Sequence, residues 1–172
     1  MFCHWLFREA LEQHALEHGR LQQHHRSAAA LLADHQDPGS DLRAAHHMLA
    51  AGDDTAALHP LLTAARRLAV SGAHRQGLEV LHTRTMAMER LGLAADHTER
   101  LENAIIESYF AQMVGQLAQA VSLAEQTAAA SQGALRIRSL QQLARLRRDQ
   151  GRLEDAAAPV SYTHLRAHET VR

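Results

Sequence analysis

Histidine is the residue type in this chain that most readily suggests a metal site, since the sequence contains 14 of them. His14 and His18 are four residues apart, so on a helix their imidazoles would lie one turn apart, a spacing that can bind zinc. A catalytic zinc site needs a third protein ligand and a structural site a fourth. The adjacent pairs His24–His25 and His46–His47 diverge by about 100° on a helix, so neither pair chelates a metal alone. We therefore predict partly exposed histidines and no metal site.

Arginine supplies all 18 basic residues, and its densest run lies near the end of the chain. Arg138, Arg145 and Arg148 fall on one side of the helix predicted from residue 135, and Arg152 continues this face. Such a face could contact phosphates or an acidic protein surface, and we take these four arginines as candidate partner-facing residues. The face has no aromatic side chains on which bases could stack, which favours a protein partner over nucleic acid. A solvated outer face is the alternative explanation.

Catalytic motifs are absent from the sequence. Without lysine there is no P-loop GK[ST], no kinase phosphate-binding lysine and no Schiff-base nucleophile within these residues. The single cysteine, Cys3, excludes an internal disulfide and a multi-cysteine zinc site. HALEH at 14–18 lacks the glutamate placement of the HExxH metalloproteases, and Glu9 and Glu12 form a surface carboxylate pair of the usual solvated kind. We predict no catalytic residues, no cofactor and no enzymatic activity for this chain itself.

The composition indicates a helical protein with a thin core. Of the 172 residues 46% are hydrophobic, but many of these are alanines and only 3% of the chain is aromatic. The formal charge of −1 gives no overall attraction to nucleic acid or to an anionic membrane. No signal-peptide core and no apolar run of about 20 residues occur. We therefore expect a soluble protein of the reducing cytoplasm.

The same arrangement of small residues occurs three times, each time around a glycine. A small residue precedes the glycine by seven positions and another follows it by five: Ala65, Gly72 and Gly77; Ser108, Gly115 and Ala120; and Ala144, Gly151 and Ala156. Small side chains allow antiparallel helices to pack closely, and a glycine suits the tight turn between them. The glycines are 43 and 36 residues apart, near the ~34 residues of a tetratricopeptide repeat. The pattern predicts an all-α, tetratricopeptide-like (TPR-like), right-handed solenoid of helical hairpins.

Apolar spacing and turn residues divide the chain into helices. We predict helices over about 2–18, 20–34, 41–51, from a cap at 53–55 to 70, 73–91, 97–113, 116–130 and from 135 onward. Asp41 is the predicted cap of the third helix and Asp96 that of the sixth, while Asp53, Asp54 or Thr55 caps the fourth. Pro60 is expected near the start of the fourth helix, where its missing N–H costs least.

Several segments resemble a known family. F-x-H-x-L-F-R-E-A-L at 2–11, H-R-S-A-A-A-L-L at 25–32 and A-H-H-M-L-A-A-G-D at 45–53 resemble the helical segment that follows the ATPase and winged-helix modules of large bacterial signalling ATPases. These include serine/threonine kinase–ATPase fusions and LuxR-type regulators. Residues 57–81 and the hairpins after them resemble the TPR-like tail of the same proteins. The resemblance covers about 2–158.

The resemblance implies a parent protein that binds ATP and Mg²⁺ and that, where it is a kinase–ATPase fusion, phosphorylates Ser or Thr, through domains absent from this chain. Its motifs are packing motifs, which carry no activity. Arg84 and Thr85 depart from the family pattern, which has a small and a large apolar residue at these positions.

Residues 160–172 differ from the rest, because VSYTHLRAHET at 160–170 resembles a transposase sequencing adapter translated as protein. We therefore predict three segments: N-terminal linker helices at 1–52, TPR-like hairpins at 53–159 and a non-native tail at 160–172. The chain is then expected to be a fragment.

Two main hypotheses for function follow. The first is a non-catalytic regulatory or protein-interaction arm of a large bacterial signalling ATPase, kinase or transcriptional regulator, binding a partner protein or other domains of its own parent chain. The second is a stand-alone helical adaptor. A third, weaker hypothesis is nucleic-acid binding through the arginine face.

Overall fold

The computed structural model of the protein describes residues 3–33, 35, 37 and 39–151, and these residues form eight α-helices and no β-strand. The helices are α1 (Cys3–Glu17), α2 (Leu21–Ala33), α3 (Ser40–Ala50), α4 (Asp54–Ser71), α5 (His74–Arg90), α6 (Thr98–Met113), α7 (Leu117–Ala130) and α8 (Gly133–Asp149). The bounds of α1–α7 agree with the predicted ranges to within one residue, and α8 begins two residues earlier than predicted. The predicted tail at 160–172 lies outside the described residues.

Residue contacts divide the chain into two units, one ending at Ala64 and the other beginning at Ala65. In the first unit α2 packs against α3, and the buried side chains of this pair include Ala29 on α2 and Ala44 and Ala45 on α3. Because these side chains are small, the two helices can approach closely. The segment boundary predicted between 52 and 53 stays a prediction.

Helix α4 begins with the aspartate cap that the sequence suggested and continues past a proline. Asp53 Oδ1 accepts a hydrogen bond of 3.0 Å from the Ala56 N–H, which makes Asp53 the cap among the three candidates. Pro60 is the seventh residue of α4, so it lies deeper in the helix than predicted. Since proline has no N–H, it gives the Ala56 carbonyl no helical partner. Complete burial of Leu61 directly after the proline stabilises this part of the helix.

Two other predicted caps are wrong. Gly39, with φ of 90°, occupies the cap position of α3 and makes no side-chain cap bond, while Asp41 lies in the first turn. There its charge still favours the positive end of the helix dipole. At α6 the cap is His97 rather than Asp96, because His97 Nδ1 accepts the Glu99 N–H at 3.2 Å. The cap of α3 lies two residues before Asp41 and the cap of α6 lies one residue after Asp96, so a different residue occupies the cap position in each helix.

Helix α6 is the central element of the second unit. It packs against α5, α7 and α8. The core cluster shared by α6, α7 and α8 consists of Ala111, Ala120, Ala124, Leu143 and Leu146, with Leu117 and Val121 packed against it. Three of the five buried members are alanines, so the core depends on close helix approach rather than on bulky side chains.

The Arg84 network joins α5 to α6 at positions where the resemblance predicts apolar residues. Arg84 is fully buried, and its guanidinium donates to the Glu99 backbone carbonyl at 3.0 Å and to Asn103 Oδ1 at 3.2 Å. It also forms an ion pair with the Glu99 carboxylate, and Asn103 Nδ2 donates to Thr85 Oγ1 at 3.0 Å. Burial lowers the pKa of Arg84, and the Glu99 charge opposes this shift. Hydrogen bonds thus replace apolar packing at this contact.

Candidate functional site

Three small residues of the predicted repeat, Gly77, Ser108 and Ala120, lie at helix contacts in the second unit. Ala65, Ser108 and Ala120 are fully buried. Ser108 Oγ donates a hydrogen bond of 2.9 Å to the Ala120 carbonyl, which joins α6 to α7. Gly77 is buried on α5, and a methyl group there would overlap the ring of Phe110 on α6. Larger side chains at these positions would therefore force neighbouring helices apart.

The three glycines of the repeat follow the ends of α4, α6 and α8. Gly72, Gly115 and Gly151 have φ of 76°, 85° and 74°, a region that glycine enters without steric cost. A backbone hydrogen bond of 2.8 Å closes the turn around Gly115. Gly72 and Gly115 join consecutive helices. Ala144 is partly buried on α8, and Ala156 lies outside the described residues.

A groove of about 330 Å³ lies between the C-terminal part of α4, the middle of α6 and α8. Helix α6 contributes apolar surface to it, and the flanking helices contribute arginine and amide side chains. The lining residues are Arg66, Ala69, Ile105, Ile106, Tyr109, Arg138, Gln141, Gln142 and Arg145. The groove thus combines an apolar contact surface with three guanidinium groups, the arrangement that an extended acidic peptide would need.

Charge within the groove is only partly balanced. Glu102 on α6 lies 2.7 Å from the Arg66 guanidinium and 3.5 Å from that of Arg138, with 19% of its side chain exposed. Among the described residues, no acidic side chain forms an ion pair with Arg145. The groove therefore has one carboxylate against three guanidinium groups. Its net charge is positive although the whole chain is nearly neutral.

Two of the four arginines that the sequence grouped together line the groove. Arg138 and Arg145 are two helical turns apart on α8 and both line the groove. Arg148 is exposed on the same helix but does not line it, and Arg152 lies outside the described residues. Arg66 on α4 was missed, because the periodicity of one helix does not indicate which residues of another helix lie opposite.

Buried amides set the position of α8 beside the groove. Gln142 is 5% exposed, and its Nε2 donates a hydrogen bond of 2.9 Å to Gln112 Oε1 on α6. Gln112 in turn bonds the Asp149 carboxylate at the end of α8. Directional bonds at both points fix how α8 lies along α6, and hence where Arg138 and Arg145 are held.

A second cavity, of about 350 Å³, lies on another side of α6, against α5 and α7. Its polar lining includes Arg100, Asn103, Glu107 and Gln126. Burial raises the pKa of Glu107, and nearby His82 opposes this shift. Because both signs of charge are present, this cavity shows no preference for an acidic or a basic ligand.

Two histidines, His25 on α2 and His47 on α3, contact each other. The Nδ1 atoms of His25 and His47 are 2.9 Å apart, and their ring centroids are 5.2 Å apart. A hydrogen bond between two imidazoles requires one ring to be neutral, since a protonated ring has no acceptor. Burial lowers the pKa of His47, and the nearby His25 and His46 add to this shift.

At the end of α1, His14, Glu17 and the next residue, His18, offer ligand atoms that all lie within 4.8 Å of one another. All three side chains are exposed, and the two imidazole centroids are 4.1 Å apart. His18 Nδ1 donates to the His14 carbonyl oxygen at 2.8 Å, and Gln13 Nε2 donates to Glu17 Oε1 at 3.0 Å. The sequence had indicated only the two histidines.

The elements above define the class of fold. Consecutive helices, with glycine turns after α4, α5 and α6 and with small side chains at their contacts, make the second unit an all-α, TPR-like helical repeat, as predicted. Throughout the described part of the chain, each helix is too short or too polar to cross a bilayer.

Two solved structures share this fold over almost the whole chain. One, from Podosopora anserina, is described as a kinesin light chain with nearly identical TPR-like repeats; it is 19% identical, covers 95% of this chain and 94% of its own, and has a TM-score of 0.56. The other is a variant of that protein, at 18% identity, 94% and 93% coverage and the same TM-score. At this identity the likeness concerns the fold. No protein-family model matches the chain, and no curated protein matches its sequence.

Proposed function

We propose that the chain is a non-catalytic protein-interaction scaffold that binds an acidic, extended segment in the groove between α4, α6 and α8. The observation that carries this proposal is the convergence of Arg66, Arg138 and Arg145 on one apolar surface, against a single carboxylate from Glu102. A segment with alternating acidic and apolar side chains would satisfy both features of the groove. Its source would be a partner protein or another part of the parent chain.

The resemblance of 2–158 to signalling ATPases supports a larger setting for this activity. In that setting the chain is a regulatory arm of a bacterial kinase–ATPase fusion or a LuxR-type regulator, and ATP and Mg²⁺ are bound elsewhere in the parent. A stand-alone adaptor is the alternative. The flanking genomic sequence distinguishes them, since a P-loop upstream supports the first and a stop codon just before Met1 supports the second.

Fluorescence anisotropy with a labelled peptide of alternating glutamate and leucine tests the groove directly. We expect saturable binding that weakens as salt is added, because charge pairs supply part of the affinity. Arg138→Ala and Arg145→Ala should each weaken binding about tenfold or more, as expected for the loss of a charge-assisted hydrogen bond.

Arg148→Ala is the matched control, because it removes the same side chain from an exposed position of α8 outside the groove. It should leave peptide binding unchanged. If Arg148→Ala and Arg145→Ala reduced the peptide affinity equally, the proposal that the peptide binds in the groove would be contradicted. Tighter binding of random double-stranded DNA than of the peptide would favour the nucleic-acid alternative.

A further inference from the structure

We infer that His14 and Glu17 on α1, with His18 directly after its end, form a zinc-binding site with three protein ligands and one coordination position open. The inference is independent of the groove and of the function proposed for it. It depends on the geometry that the helix gives to the HALEH segment, in which three suitable donor atoms lie within 4.8 Å of one another.

The donor set suits zinc. Imidazole nitrogen and carboxylate oxygen bind Zn²⁺ at about 2.0–2.2 Å, and two histidines with one carboxylate occur in open, three-ligand zinc sites. A tetrahedral arrangement at these distances places ligand atoms about 3.4 Å apart. The three side chains are exposed, so small rotations about their side-chain bonds can close the remaining distance without disturbing a packed core.

Neighbouring hydrogen bonds already orient two of the ligands. His18 Nδ1–H donates to the His14 carbonyl oxygen at 2.8 Å, which leaves the lone pair of His18 on Nε2 for a metal. Gln13 Nε2 donates to Glu17 Oε1 at 3.0 Å, so the other carboxylate oxygen remains available. Supporting bonds of this kind are typical of metal-binding histidines and carboxylates.

Other histidines of the chain provide a contrast. His25 and His47 come within 2.9 Å across two helices, but among the described residues no third ligand atom completes a cluster with them. His24 and His46 are exposed and belong to adjacent pairs that point in different directions. Zinc uptake should therefore depend on position along α1 and not on the number of histidines.

Isothermal titration of the full chain with zinc chloride at pH 7.5 tests the site, in a Cys3→Ser background that removes the one thiol. We expect one equivalent to bind. His14→Ala, His18→Ala and Glu17→Gln should each weaken binding at least about tenfold, since losing a ligand costs no less than losing a supporting contact.

The control variant carries His24→Ala and His46→Ala, which remove two exposed histidines outside the cluster. It should bind zinc like the parent, and circular dichroism should show the same helix content for every variant. The inference would be overturned if no equivalent of zinc bound saturably to the parent chain. It would also be overturned if the control variant lost as much zinc affinity as the variants at His14, Glu17 and His18. Unchanged affinity in Glu17→Gln would overturn the three-ligand assignment, because two histidines would then account for the binding.

Discussion

At the scale of single residues, polar side chains give specificity to an interior composed largely of alanine. The Arg84 network joins α5 to α6, the Ser108 hydroxyl joins α6 to α7, and the Gln142 amide joins α8 to α6. Alanine contacts are tolerant of small shifts along a helix, whereas a buried hydrogen bond is satisfied in one arrangement only. These residues therefore determine how the helices align.

The His25–His47 pair should make the stability of the protein depend on pH. The pKa of His47 is lowered in the folded state, so the unfolded chain binds the proton more readily. The neutral His47 ring contributes to the free energy of unfolding at a pH above about 6.5, the pKa of histidine in the unfolded chain. This contribution is lost as the pH falls through and below that value. We expect a lower thermal unfolding midpoint at pH 5.5 than at pH 7.5, with a smaller drop in His47→Gln. His24→Gln, which changes an exposed histidine, should retain the full drop.

Sequence reasoning identified individual residues unevenly. It selected Arg138 and Arg145 because their own helix shows the pattern, and it missed Arg66 and Glu102, which come from α4 and α6. It treated Arg84 as a departure from the family pattern, because no local feature indicates that Asn103, 19 residues later, would accept its hydrogen bond. Side chains that meet across helices cannot be paired from the spacing within one helix.

At the scale of helices, the α6–α7 hairpin depends on a small residue at 120. Ala120 is fully buried in the shared core cluster, and its carbonyl accepts the Ser108 hydroxyl. Ala120→Leu should reduce the free energy of unfolding by about 1–3 kcal/mol, because the larger side chain overpacks the contact. Denaturant unfolding measures the change. Ala118→Leu, at an exposed position of the same helix, should change stability little, and equal effects of the two substitutions would contradict the contact.

Helix positions followed from apolar spacing to within one residue for seven helices, because a long periodic segment averages over local exceptions. The predicted caps of α3 and α6 were wrong, because moving a helix start by one or two residues changes which side chain reaches the free N–H groups. His97 illustrates this, because its ring nitrogen takes the role that Asp96 was expected to fill.

At the scale of the whole molecule, the described helices end at Asp149. Because the sequence predicts that 160–172 is a non-native tail, deleting it should leave the total helical signal in circular dichroism unchanged per molecule, apart from the loss of the residues themselves. A large decrease in ellipticity would show that these residues belong to the folded structure.

The ion pairs of Glu102 have a consequence for selectivity. In the free protein this carboxylate already occupies the guanidinium groups of Arg66 and Arg138, so it acts as an internal competitor for any incoming anion. A ligand with one isolated negative charge gains little by displacing it, whereas a segment presenting several charges at once can also reach Arg145. The same carboxylate holds two arginines in place before the ligand arrives, which reduces the entropy lost on binding. If the groove binds acidic segments as proposed, a chain of almost zero net charge would in this way discriminate among them by how many charges they offer and how those charges are spaced.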